Sequence, residues 1–181
     1  MSVLLLLARL YIPPSIVQKR LGQLFALTAD AFGSAYPDTE GVSRGESLAG
    51  YARYTREQAV KALARGDGER VRAKLYRNAF DLGDELRRAF RIKTLRGALL
   101  AGGIIYRMVN IDFRGDGAGG VVVRRCFFSS YYSAGVCDLI SALDEGLVAG
   151  LSSGMKLRFF QRITEGGVCC RAYLSGAGGE S

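Results

Sequence analysis

The chain has 181 residues, 49% hydrophobic and 10% aromatic, enough for one domain with a sizeable core and too apolar for a disordered protein. Histidine is absent. That excludes a Ser-His-Asp triad, a Cys-His dyad and an HExxH zinc site, and leaves acid–base work to Asp, Glu, Lys, Tyr or Cys. Lys and Arg number 25 against 17 Asp and Glu, a net charge of +8, which suits an anionic partner. The arginines are scattered, with no basic run and no nucleic-acid motif, so nucleic acid is not expected.

Residues 3–12 read as a short apolar helix. No basic segment precedes it and no small-residue cleavage site follows, and the run is far shorter than the ~20 apolar residues that span a bilayer. Leu4 to Leu7 are expected in the core, with peripheral membrane or partner contact as the alternative. Four cysteines are ordinary usage rather than a disulfide scaffold. A cytoplasmic protein with reduced thiols is therefore expected, and an oligomer is compatible with the composition.

Pro13-Pro14 ends the first helix, and Pro14 suits the first turn of a second over 14–32, capped by Gly33. Residues 33–45 form a loop rich in Gly, Pro, Asp and Ser. Helices follow over 46–64 and 69–90, separated by Arg65-Gly66-Asp67-Gly68, and a fifth over 94–103. Residues 104–113 alternate and are β-branched-rich, so they read as a strand, paired through a glycine-rich turn with a second strand over 121–128. Ser133 caps a helix over 134–150. Strands over 155–163 and 168–174 complete the chain, and the tail from 175 is expected to be disordered. The order predicts an α+β fold: one domain over 1–174, with helices over 1–103, then a β-β-α-β-β antiparallel unit over 104–174.

All four cysteines fall in residues 126–174. Cys126 lies near the end of the second strand. Cys137, Ser141 and Asp144 share one face of the following helix, four and seven residues apart. Cys170 lies on the opposite strand face from Cys169. A strand, helix and returning strand can bring these groups together. Three chemistries are open: a thiolate nucleophile at Cys137 or Cys126, a thiolate–carboxylate metal site, and an acid–base pair of Asp144 and Glu165. Against them stands the reading of free cysteines as small buried hydrophobes. Asp144 is flanked by Leu143 and, one turn on, Leu147, so a carboxylate there must be paired or functional.

The spacing of Cys126, Cys137, Asp144, Arg162-Ile163-Thr164-Glu165-Gly166 and Cys170 resembles the L-2-amino-thiazoline-4-carboxylic acid hydrolase family. Its plan is also similar to vinyl-reductase-type domains, which bind small hydrophobic ligands and, in some members, zinc. Arg162 stands where the zinc-bearing relatives carry a further cysteine, a departure from their zinc ligand set, and no cofactor is identified. The resemblance implies that water adds to C2 of a cyclic isothiourea and opens the ring. It implies Asp144 as base, Cys126 or Cys170 for covalent attack or metal binding, and Glu165 as a supporting acid. Arg125, Arg162 or Arg171 would clamp the substrate carboxylate, with Cys137, Ser141, Tyr131 and Tyr132 lining the substrate site. The alternative is a binding or assembly module whose pocket of Phe127, Tyr131, Tyr132, Phe159 and Phe160 holds an apolar small molecule, or an enzyme that rearranges one.

Overall fold

A computed structural model describes residues 3–36 and 41–176. Part of the 33–45 loop, the end of the tail and the side chains of Val3, Leu4 and Leu6 lie outside the described residues. The fold is α+β. Five helices come first: α1 (Val3–Leu10), α2 (Pro14–Phe32), α3 (Arg44–Ala64), α4 (Gly68–Ala89) and α5 (Leu95–Met108). Strands β1 (Ile111–Gly115) and β2 (Gly120–Cys126) form a hairpin. A 3-10 turn (Phe127–Ser130), α6 (Ala134–Ile140) and α7 (Ala142–Leu151) follow, then β3 (Lys156–Gln161), a second 3-10 turn (Ile163–Glu165) and β4 (Cys170–Ser175). The sheet is antiparallel throughout, in the order β1-β2-β4-β3.

Local chemistry explains most boundaries. Pro14 opens α2, and Gly33 closes it in the left-handed region at φ 67°. Ser43 and Glu46 form a reciprocal capping box on α3. In the hairpin turn, Asp116 Oδ1 accepts from the N–H groups of Ala118 and Gly120, both at 2.9 Å.

Two expectations require correction. Residues 104–108 are helix, not strand: α5 runs on to Met108, and Asn110, at φ 58°, makes the left-handed turn that stops it. The β-branched pair Ile104-Ile105 is overridden by tertiary packing, because Ile104 and Tyr106 bury against the rest of the core while Tyr106 stacks on Phe113 of β1. The expected helix over 134–150 is two, joined at Ser141. The Ser141 hydroxyl donates back to the Asp138 carbonyl (2.7 Å), and the hydrogen bonds Ser141 N–H to Cys137 and Glu145 N–H to Ser141 carry the helical path across the joint.

The tightest packing is between α4 and α7. A Cβ on Gly146 would strike the Tyr76 carbonyl, one on Gly150 the Phe80 carbonyl, and one on Gly83 the Leu147 carbonyl. Backbone therefore lies on backbone, which fixes α7, and with it Asp144, against α4. Beside this contact Arg72 Nη2 donates to both carboxylate oxygens of Glu145 (2.8 and 2.9 Å) and Nη1 donates to the Asp138 carbonyl (2.8 Å), linking α4 to α6 and α7.

Candidate active site

A cavity of about 520 Å³ lies between the N-terminal helices and the α5–α7 layer, and its wall is mostly aliphatic and aromatic. Leu7, Tyr11 and Ile16 form its solvent-exposed rim. Its interior contains the polar groups Asp144, Tyr106, Ser141, Thr164 and three thiols, Cys126, Cys137 and Cys170.

Each functional group arrives from a different element. Cys126 ends β2, Cys137 lies on α6, Asp144 begins α7, Cys170 begins β4, and Thr164 sits in the second 3-10 turn. Tyr106 comes from the helical extension of α5, and its hydroxyl donates to Asp144 Oδ1 at 2.8 Å. Asp144 is shielded from bulk water, and the surface it retains belongs to the cavity wall. Burial raises its pKa to about 6. The Tyr106 hydrogen bond opposes that rise, the neighbouring Glu145 carboxylate adds to it, and Arg162 opposes it weakly. Tyr106 is itself held well above the ordinary phenol value, first by burial and then by the Asp144 charge.

All four cysteines are free thiols. Burial pushes Cys126 up to about 12, partly offset by the Phe128 backbone N–H. Cys137 and Cys170 are also raised by burial. The Thr164 hydroxyl and Arg162 pull Cys137 back, and the Ile163 N–H, 3.4 Å from the Cys170 sulfur, pulls Cys170 back. Thr164 Oγ1 is cut off from solvent and has no other partner among the described residues. At neutral pH these thiols are protonated, the opposite of an activated thiolate. Among the described residues no three His, Cys, Asp or Glu are grouped to hold a metal ion.

The structure thus brings together Asp144, Cys126, Cys137, Cys170, Ser141 and Tyr132 on one cavity wall. Two of their hydroxyls are committed to the fold: Ser141 to the Asp138 carbonyl, and Tyr132 to Thr55 Oγ1. It does not bring Glu165, Arg125, Arg162 or Tyr131 to that wall. Glu165 is the exposed end of the second 3-10 turn, its carboxylate 3.7 Å from Arg162. Arg125 is exposed on β2. Arg162 is buried, but its guanidinium holds Asp138 (3.0 Å) and stacks 4.7 Å from the Phe159 ring centre. Tyr131 packs on Phe127. Of the aromatics expected to line a pocket, Tyr132 does so and Phe160 is 65% exposed.

Sequence reasoning missed Tyr106, Thr164 and Arg20. Arg20 is on the wall, half-buried, and donates to Gln23 Oε1 at 2.7 Å. The signal for Tyr106 was Leu100, Ile104 and Met108, a run with helical spacing that reaches past residue 103. No family model, curated protein or solved structure matches the chain.

Proposed function

We propose that the chain is a hydrolase-like enzyme of the kind its cysteine–aspartate block resembles, in which Asp144 moves the proton as water attacks a small cyclic amidine. The observation that carries this reading is Asp144: a shielded carboxylate on a cavity wall, held by one hydrogen bond from Tyr106, with a pKa of about 6. Such a group is mostly ionised at pH 7 and readily returns a proton, as a general base that turns acid must.

In this reaction the carboxylate takes a proton from water as the water oxygen bonds to the amidine carbon. The C=N pair moves onto the nitrogen, which a protonated amidine accommodates without a further proton. Asp144 then gives its proton to the ring heteroatom as the bond from that heteroatom to the same carbon breaks. The added hydroxyl becomes the carbonyl and releases its remaining proton to solvent. Tyr106 keeps its own proton throughout and fixes the orientation of the carboxylate. Water is the nucleophile, because the raised thiol pKa values favour cysteines that shape the wall over cysteines that attack. Arg20 is the cation on the wall, so it takes the role of clamping a substrate carboxylate.

The predominance of apolar side chains on the wall favours a second reading, a module that retains an apolar small molecule without turnover. Incubation with 2-amino-thiazoline-4-carboxylate, followed by mass spectrometry for carbamoyl-cysteine, separates the two. Product with the wild type and none with Asp144→Asn is the result expected. No product with the wild type, together with an apolar molecule retained in its native mass spectrum, contradicts hydrolysis and favours the binding module.

A further inference from the structure

The corner where α1 turns into α2 is built unlike the rest of the surface. Leu10 is 82% exposed, Tyr11 68%, Leu7 57% and Ile16 48%, and they lie together across Pro13-Pro14. A cluster of large apolar side chains left in water marks a contact surface. Three of them, Leu7, Tyr11 and Ile16, are also the rim of the cavity, so whatever covers this corner faces the cavity entrance.

The charge that α1 and the first turns of α2 bring to the corner has one sign. From residue 3 to residue 29 the sequence has no Asp or Glu but carries Arg9, Lys19 and Arg20. Arg9 adjoins Leu10, and Lys19 lies three residues from Ile16, on the same face of α2. Arg107 joins them from α5: its guanidinium donates to the carbonyls of Arg9 (2.8 Å) and Ala8 (2.9 Å) at the end of α1. Arg9, Lys19 and Arg107 are exposed, and none pairs with a carboxylate among the described residues. No helix is long and apolar enough to cross a membrane among the described residues. Exposed Leu and Tyr ringed by unpaired cations are the chemistry of a surface that lies in the headgroup layer of an anionic bilayer.

We infer that the α1–α2 corner docks on an anionic lipid bilayer, with Leu10 and Tyr11 inserted at the headgroup–acyl boundary, so that the cavity entrance lies against the membrane. Docking uses no group of the Asp144 site and stands or falls apart from the hydrolase reading.

The chain contains no tryptophan, so a single Leu10→Trp gives an unambiguous probe at a residue that is not part of the cavity wall. Its emission is expected to shift to the blue with vesicles of phosphatidylcholine mixed with phosphatidylglycerol, and to stay put with phosphatidylcholine alone. Added salt should weaken the effect as the Debye length shrinks. In vesicle sedimentation, the double variant Arg9→Glu/Lys19→Glu should lose at least ~10-fold in binding, since each surface cation contributes roughly 5-fold, and Leu10→Glu should lose a similar factor by replacing an inserted apolar group with an anion, with melting temperatures unchanged. No shift at position 10 with anionic vesicles overturns the proposal, as does equal binding to neutral ones. A wild-type dimer in sedimentation equilibrium that Leu10→Glu abolishes also overturns it, because a second copy then occupies the corner.

Discussion

Replacing Asp144 with asparagine is expected to stabilise the protein at neutral and alkaline pH. In the unfolded chain Asp144 titrates near the ordinary 3.8, and in the folded protein burial raises it to about 6. A raised carboxylate pKa means the folded state holds the proton longer than the unfolded state. Stability is therefore fully retained below 3.8 and falls as pH rises through that value toward 6, where it levels off. A displacement of that size corresponds to ~3 kcal/mol. Asparagine carries no charge to bury, and its Oδ1 can still accept from Tyr106, so the variant escapes this cost. At pH 8 it should exceed the wild type by up to ~3 kcal/mol, or ~6–12 °C in melting temperature for a chain of this length. At pH 4 the two should nearly coincide. Thermal unfolding of both proteins between pH 4 and pH 8 measures this directly. A variant that is less stable than the wild type by the same amount at every pH refutes the reasoning, since Asp144 would then be a structural partner and not a strained, buried charge.

Other perturbations follow from the same geometry. Tyr106→Phe removes the hydrogen bond that opposes the rise of Asp144. It should move the acidic limb of a pH–rate profile up by ~1–2 pH units, the worth of a hydrogen bond to a charged group. Gly146→Ala pushes a methyl group into the Tyr76 carbonyl, and should cost ~1–3 kcal/mol or more by overpacking, read as a lowered urea midpoint. Cys126 has a pKa of about 12 and is largely shielded, so iodoacetamide at neutral pH should leave it unmodified in the native protein and label it in urea, as peptide mass mapping will show.

Much of the fold could be read from the sequence because its punctuation is local. Pro14, Gly33, Ser43 and the Arg65–Gly68 break mark helix ends by their own chemistry, and the glycine-rich stretch after β1 marks a hairpin. The span of α5 was not legible in the same way. Ile104 and Ile105 favour a strand in isolation, and the burial of Ile104 and Tyr106 in the core keeps the segment helical. The spacing of Cys126, Cys137, Asp144 and Cys170 was enough to place them on converging faces. For the carboxylates the signal was one-sided: Leu143 and Leu147 mark Asp144 as buried, whereas Glu165 has no such neighbours and lies exposed at the end of the second 3-10 turn. Arg162 shows the limit of such signals: its burial reflects an ion pair with Asp138 and a stack on Phe159, neither of which leaves a trace in spacing. Arg20 lies 124 residues from Asp144 along the chain, and only the tertiary fold brings both into the lining of one cavity.

The most direct test of Asp144 as the proton-transfer group is the single-turnover rate with 2-amino-thiazoline-4-carboxylate from pH 5 to pH 8, for the wild type and for Asp144→Asn. The wild-type rate should rise with pH through a midpoint near Asp144's value of about 6 and then level. The asparagine variant should be at least ~100-fold slower and show no such rise, as expected for a lost general base. A variant that keeps the wild-type rate per folded molecule, with the same pH midpoint, would contradict the account.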